Sequence, residues 1–168
     1  MEKQLKLYAH DYTDYRTYLL GALFVICNII FPQMCHQLTL GGPTWLPIYF
    51  FTLIGSYKYG MKVGLITALL SPITNSLLFG MPMLSSVFVI TVKSTLLAIC
   101  AGYTAARFHK ATIILLTAVV IAYQVGGSLV EWIVTDFHTA MQDFRIGFPG
   151  IMTQIIGGWL IINYAIRK

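Results

Sequence analysis

Apolar residues run along this chain in six stretches, separated by short polar or glycine- and proline-bearing breaks. The stretches cover residues 18–36, 45–59, 61–80, 85–108, 111–135 and 148–166. The breaks include Gly41-Gly42-Pro43, Gly60 and Gly80-Met81-Pro82, and Pro149-Gly150 opens the last stretch. Most of the six approach the ~20 apolar residues that a membrane helix needs. The second is shorter, and its Pro47 suits a first helical turn, where the missing N–H would have no helical partner anyway. The pattern predicts an all-α integral membrane protein with six transmembrane helices.

Polar positions inside these stretches fall on helical stripes. Gln124, Ser128, Glu131 and Thr135 are spaced i, i+4, i+7 and i+11, and Thr67, Ser71, Thr74 and Asn75 are spaced i, i+4, i+7 and i+8. Each set lies on one face of a helix. Pro72 interrupts the second face and leaves the carbonyl of Ala68 without its usual backbone donor. Such a carbonyl is tolerated at depth where a cavity or a neighbouring side chain satisfies it. The sixth stretch adds Gln154, with Gly150 and Gly157 on nearby turns, and Asn163 near its end.

Besides Lys58, Lys62 and Arg107 near the stretch ends that the charge pattern puts on the cytoplasmic side, two positions are charged. Lys93 stands in residues 85–108, which hold no other charge until Arg107, and Glu131 stands near the end of residues 111–135. An ionisable group at the centre of a membrane helix costs ~2.5–3.5 kcal/mol or more. Retaining two of opposite sign points to a polar site within the membrane. Two arrangements satisfy it: Lys93 meets a bound solute, or Lys93 and Glu131 form an internal ion pair.

Composition supports the membrane assignment. Apolar residues make up 57% of the chain and charged residues 10%, with a mean hydropathy of +0.74; a soluble domain carries about 25% charged residues. Residues 1–168 leave room for one domain. Residues 1–17 form a polar, tyrosine-rich segment without the basic n-region, short apolar core and cleavage site of a secretory signal. The first apolar stretch is therefore expected to stay in the mature protein. Cys27, Cys35 and Cys100 lie far apart, without metal-ligand spacing, and read as small apolar fillers.

The net charge of +5 comes from basic residues scattered among the breaks, which argues against a nucleic-acid-binding patch. Topology accounts for them better. With the N-terminus cytoplasmic and six spans, Lys3, Lys6, Arg16, Lys58, Lys62, Arg107, Lys110, Arg167 and Lys168 all face the cytoplasm, nine of the eleven basic residues. The positive-inside rule selects this orientation, with both termini inside. Lys93 then lies ~12 Å below the outer end of its span at 1.5 Å per residue. Glu131 lies nearer the outer surface, so both charges belong to the outer half.

Candidate binding residues follow from this placement: Lys93, Glu131, Asn75, Ser71, Gln124 and Gln154 on the inward stripes, with Trp45 and His36 at the outer end. Trp45 follows the loop Thr39-Leu40-Gly41-Gly42-Pro43-Thr44, where an indole can stack on a flat ring. Small residues pair at 98/102, 101/105, 102/106 and 64/68, a spacing that permits close helix packing. No HExxH, GxSxG or P-loop motif is present, so the chain shows no means of hydrolysing ATP, and no cofactor or metal is implied.

The segment GPTWLPIYFFTLIGSYKYGMKVGLITALLSPITNSLLFGMP, residues 42–82, resembles the substrate-binding S components of energy-coupling factor (ECF) vitamin transporters. The features that carry the resemblance are a short second helix, the basic turn Gly55-Ser56-Tyr57-Lys58-Tyr59-Gly60-Met61-Lys62-Val63-Gly64, the Ser71-Pro72 step and the Phe79-Gly80-Met81-Pro82 exit. The last two, with Pro149-Gly150-Ile151 and Gln154, are similar to the pantothenate- and pyrimidine-type branch. The resemblance implies a plasma-membrane subunit of a bacterium or archaeon that captures a small water-soluble vitamin or precursor from outside. It also implies partners: a transmembrane coupling subunit and two ABC-type ATPases. One departure is that Ala22 is followed four residues later by Ile26, where many family members carry an Ala-xxx-Ala docking pattern.

A standalone carrier of the same fold and a non-transporting membrane scaffold compete with this expectation. The inward polar stripes argue against the scaffold, which needs no polar cavity. The topology is directly testable in a background lacking the native cysteines. Gly42→Cys and Gln142→Cys should react with an impermeant thiol reagent added outside, whereas Tyr59→Cys and His109→Cys should not. The reverse pattern would invert the orientation and every depth derived from it.

Overall fold

The computed structural model describes residue 8 and residues 11–36 and 44–165. Lys3, Lys6, His10, Arg167, Lys168, the loop of residues 37–43 and the side chain of His36 lie outside the described set. The described residues are all-helical, 86% helix, with no strand among them. Five main helices follow in order: α1 (Tyr15–His36), α2 (Pro47–Tyr59), α3 (Met61–Phe79), α4 (Leu84–Phe108) and α5 (Ile113–Val134). Two short turns, α6 (Phe137–Ala140) and α7 (Gln142–Arg145), occupy a segment that the sequence pattern left as loop. The last helix, α8, covers residues 148–165 and passes twice into π hydrogen bonding, at Thr153–Gly157 and Ile161–Ala165.

Local sequence explains the helix ends. Asp14 accepts the Arg16 backbone N–H through its side chain at the start of α1. The Thr112 hydroxyl accepts from the Leu115 N–H at the start of α5. Gly80, at φ 67°, closes α3 in the left-handed conformation that a side chain would strain. Pro32 and Pro72 sit inside α1 and α3, and both helices continue through them.

Helices α1, α3, α4 and α5 are long and apolar enough to cross a membrane. The 13 residues of α2 reach only ~20 Å at 1.5 Å per residue, short of a ~30 Å hydrocarbon core. Instead, α2 is the axis of the bundle. It packs against α1, α3, α4 and α8 and is buried along nearly its whole length, its polar Thr52 and Ser56 engaged with neighbouring helices. Leu53, Ile54 and Tyr57 of α2 are buried together with Leu97 of α4 and Leu116, Val120 and Tyr123 of α5 in one apolar core.

The outer surface is apolar. Leu19, Leu23, Ile26, Ile30 and Met34 form an exposed stripe on α1, and Ile121, Val125, Leu129 and Trp132 form another on α5. Contiguous exposed apolar surface of this kind is unstable in water and stable in lipid. Ala98, Ala101, Gly102 and Ala105 of α4 face inward whereas Ala106 is exposed, and the Ser56 hydroxyl of α2 donates to the Ala98 carbonyl at 2.5 Å.

The C-terminal end of α2 is tied down. There the Tyr57 hydroxyl donates to the Lys110 carbonyl at 2.6 Å, and Asn163 of α8 donates to the neighbouring Ala111 carbonyl at 3.0 Å. Lys58 is buried, with Tyr8 packed against it. The Tyr8 N–H donates to its carbonyl, and its ammonium lies 5.6 Å from the Tyr8 ring centre. Lys62, the second residue of α3, pairs with Asp11 and lies over the Tyr12 ring. That hydrogen bond holds the Asp11 carboxyl below its ordinary range.

The α2–α3 contact depends on Gly64, where a Cβ would fall 2.3 Å from the Ser56 Cβ. Gly64→Ala forces these helices apart and displaces the Ser56–Ala98 hydrogen bond. It is expected to cost about 1–3 kcal/mol, the usual range for overpacking a filled interior, measured as unfolding of the detergent-solubilised protein in a denaturant series. An unchanged midpoint would show that α2 and α3 do not approach so closely.

Candidate functional site

The buried polar residues divide into two groups on either side of α2. The first joins α1, α2, α3 and α4. The Asn28 side-chain amide donates to the Thr52 hydroxyl at 3.0 Å and to the Ser71 hydroxyl at 3.2 Å. Asn75 donates to the backbone carbonyls of Asn28 at 2.9 Å and Ser71 at 3.0 Å. The Asn28 carbonyl is free to accept because Pro32, four residues on, has no N–H to donate. Thr52 and Ser94 hydroxyls share a 3.4 Å contact that brings in α4.

This group contains two of the expected binding residues, Ser71 and Asn75, and engages both in holding α1 against α3. The side-chain oxygens of Asn28 and Asn75 have no hydrogen-bond partner. The sequence pattern missed Asn28 and Thr52. The signal was available: Asn28 is an amide inside an apolar stretch, four residues before a proline.

The second group joins α4, α5 and α8. Lys93 of α4 is 1% exposed, and its ammonium donates to a Glu131 carboxylate oxygen of α5 at 2.5 Å. Of the two arrangements open from the sequence, the structure adopts the ion pair. Its geometry requires Gly127, because a Cβ there would fall 2.4 Å from Lys93 Cγ. Gly127 thus lets the lysine stem lie flat on α5 while its head reaches Glu131 one turn away.

Gln124, Gly127, Ser128 and Glu131 share that face of α5. Gln124 is fully buried, yet neither its amide nitrogen nor its carbonyl oxygen has a partner. The Ser128 hydroxyl, one turn along, is also without one, as is the Thr91 hydroxyl of α4. Next to Gln124, the Tyr123 hydroxyl donates to the Gln154 side-chain oxygen at 2.8 Å, and the Gln154 nitrogen is unpartnered. Gln154 lies in the first π turn of α8, and the Tyr123 ring packs on Tyr49 of α2 with centroids 5.5 Å apart. Wider turns of this type recur at functional sites; periodicity alone could not have shown one here.

A buried polar atom without a partner costs ~1–3 kcal/mol. Native interiors keep few of them, and each calls for an explanation such as a ligand or a bound water. The concentration along α5 and α8 is therefore the chemically open part of the interior, whereas the Asn28 group spends its donors on packing. Trp45 is half-buried at the start of α2, with its backbone carbonyl packed against Gly150 of α8. His36 ends α1. An open surface hollow of about 480 Å³ lies apart from these groups, lined by His138, Thr139, Gln142, Arg145 and Ile146 of α6, α7 and their flanks. Among the described residues, no cluster of histidine, cysteine or carboxylate side chains could hold a metal ion.

The pairing predicts a double-mutant signature. Lys93→Met or Glu131→Gln alone strands a charge in the interior and should destabilise the fold by about 3–5 kcal/mol. Lys93→Met combined with Glu131→Gln should recover most of that loss. Unfolding midpoints of the three variants in detergent check it, and strictly additive losses would mean that the two groups do not interact.

Comparison with known protein families, with curated proteins and with solved structures gives no match to this chain in any of the three.

Proposed function

We propose that this chain is a membrane-embedded solute-capture subunit, of the kind its sequence resembles in ECF vitamin transporters. The observation that carries the proposal is Gln124, a fully buried amide with both ends unpartnered, on the same helix face as a buried ion pair. A bundle that needs polarity only for packing would spend its donors on neighbouring groups, as it does around Asn28, where the amide donors are engaged and the two amide oxygens stay open. An interior that holds hydrogen-bonding capacity open suits a small polar solute.

In this reading the chain crosses the membrane six times and both termini are cytoplasmic. The sixth crossing is α8, and α2, too short to span alone, completes its crossing with the chain before it, shielded from lipid by the helices packed around it. The supporting argument is the placement of nine of eleven basic residues on one side. The solute enters from outside, past Trp45 and His36, and meets Gln124, Ser128 and Gln154 beside the Lys93–Glu131 pair. Without an ATP-binding motif, release inward depends on a transmembrane coupling subunit and two ATPases. The setting is a bacterial or archaeal plasma membrane.

One observation favours a second reading, a standalone carrier. Ala22 and Ile26 both lie on the exposed face of α1, and Ile26 breaks the small-residue spacing there. A partner helix would approach that face less closely than an Ala-xxx-Ala surface allows.

Two measurements separate the readings. Protein purified from native membranes in mild detergent should release a small water-soluble molecule at near-stoichiometric amount and should not hydrolyse ATP. Vesicles containing this chain alone should bind that molecule without concentrating it. Accumulation against a gradient would favour the carrier, and absence of any released solute would contradict capture.

A further inference from the structure

Two constraints along α5 act on anything that occupies the interior, one from charge and one from hydrogen bonding. The charge constraint is the ion pair. Lys93 is buried and bonded to Glu131 at 2.5 Å, so the two formal charges nearest the open groups cancel. An anionic solute bound by Lys93 would have to displace Glu131 and leave that carboxylate beside it. A cationic solute drawn to Glu131 would strand the ammonium. In a medium of low effective dielectric both exchanges are unfavourable.

The hydrogen-bonding constraint is the set of open atoms. Gln124 offers an acceptor and a pair of donors from one planar group, all unpartnered at 0% exposure. Among the described residues it is the one side-chain amide open at both ends. Gln154 is different. The Tyr123 hydroxyl donates to its oxygen, which fixes the amide orientation and leaves the nitrogen as a donor. Ser128, one turn from Gln124 on the same face, can give or accept.

We infer that the solute held at this site is uncharged and carries an amide-like edge, a carbonyl acceptor beside an N–H donor, that pairs in two points with Gln124. Primary amides, lactams and ureides have this edge. The Lys93–Glu131 pair stays intact while the solute is bound, and the Gln154 nitrogen and the Ser128 hydroxyl serve further acceptors on it. Simple hydrocarbons and ethers lack the donor that the Gln124 oxygen needs, and carboxylates lack both the donor and the neutrality. The inference rests on the capture reading and narrows it to one solute chemistry.

The test uses the full chain purified from native membranes in mild detergent, with native mass spectrometry to count the bound small molecule and exact mass to identify it. The molecule is expected to be neutral at pH 7 and to contain an amide, lactam or ureide group. Gln124→Leu should lower its occupancy at least about tenfold, the effect of one unmet buried hydrogen bond. The same substitution should leave the unfolding temperature of the solute-free protein equal or higher, because it removes an unpartnered polar group. A bound carboxylate, phosphate or amine would overturn the inference and leave capture standing. So would unchanged occupancy in Gln124→Leu, or a lowered unfolding temperature of the solute-free variant, which would assign Gln124 to packing around water. The identity of the molecule on the unmutated chain decides the matter even if the variant fails to fold. A chain that carries nothing removes the capture reading, and this inference with it.

Discussion

A lysine ammonium stays charged inside an apolar bundle only when an opposite charge meets it there, and here Glu131 of α5 meets Lys93 of α4. The pair sets the geometry of everything beside it. Burying one charge alone would cost several kcal/mol, so the two helices are held in the register that brings them together. That register is available because position 127 is glycine, and the lysine stem fills the space a side chain would take. Once α5 is fixed this way, Gln124 and Ser128 on the same face are carried into the interior, whether or not the protein supplies them partners.

Around this pair the usual distribution of polarity is reversed. The outer faces of α1 and α5 are aliphatic, whereas amides, hydroxyls and charges collect within. Hydrophobic burial cannot drive helices together in lipid, where the tails are as apolar as leucine, so close packing and interhelical hydrogen bonds carry more of the association. The Asn28–Thr52–Ser71–Asn75 group and the glycine contact between α2 and α3 do that on one side of the core helix. The α5–α8 side retains unpartnered donors as well as acceptors, whereas the Asn28 side retains two amide oxygens. The asymmetry separates structural polarity from polarity left open for a solute.

Much of this was legible in the sequence. Apolar stretches bounded by Gly60, Gly80 and Pro149 located the main helices to within a few residues, because glycine and proline act through local backbone conformation. The stripe Gln124–Ser128–Glu131 was visible because helical spacing is local too. What stayed hidden depends on neighbours distant in sequence. Lys93 pairs with Glu131, 38 residues away, and the sequence left that open against a ligand contact. Asn75 turns to the carbonyl that Pro32 frees on another helix, which only the packing of α1 on α3 reveals. Lys58 read as a basic residue of a cytoplasmic turn, and it is buried with Tyr8 packed against it, a contact 50 residues apart in sequence. The π turn around Gln154 leaves no periodic trace.

The central claim is that the interior beside Gln124 is held open for a solute and is not simply imperfect packing. A density map of the chain purified from native membranes into lipid nanodiscs, at a resolution that separates a solute from a water, tests it most directly. The account predicts non-protein density larger than a water within hydrogen-bond distance of both ends of the Gln124 amide, with the Lys93–Glu131 pair unbroken. A single ordered water there, or a rearranged core in which Gln124 bonds to protein, would contradict it.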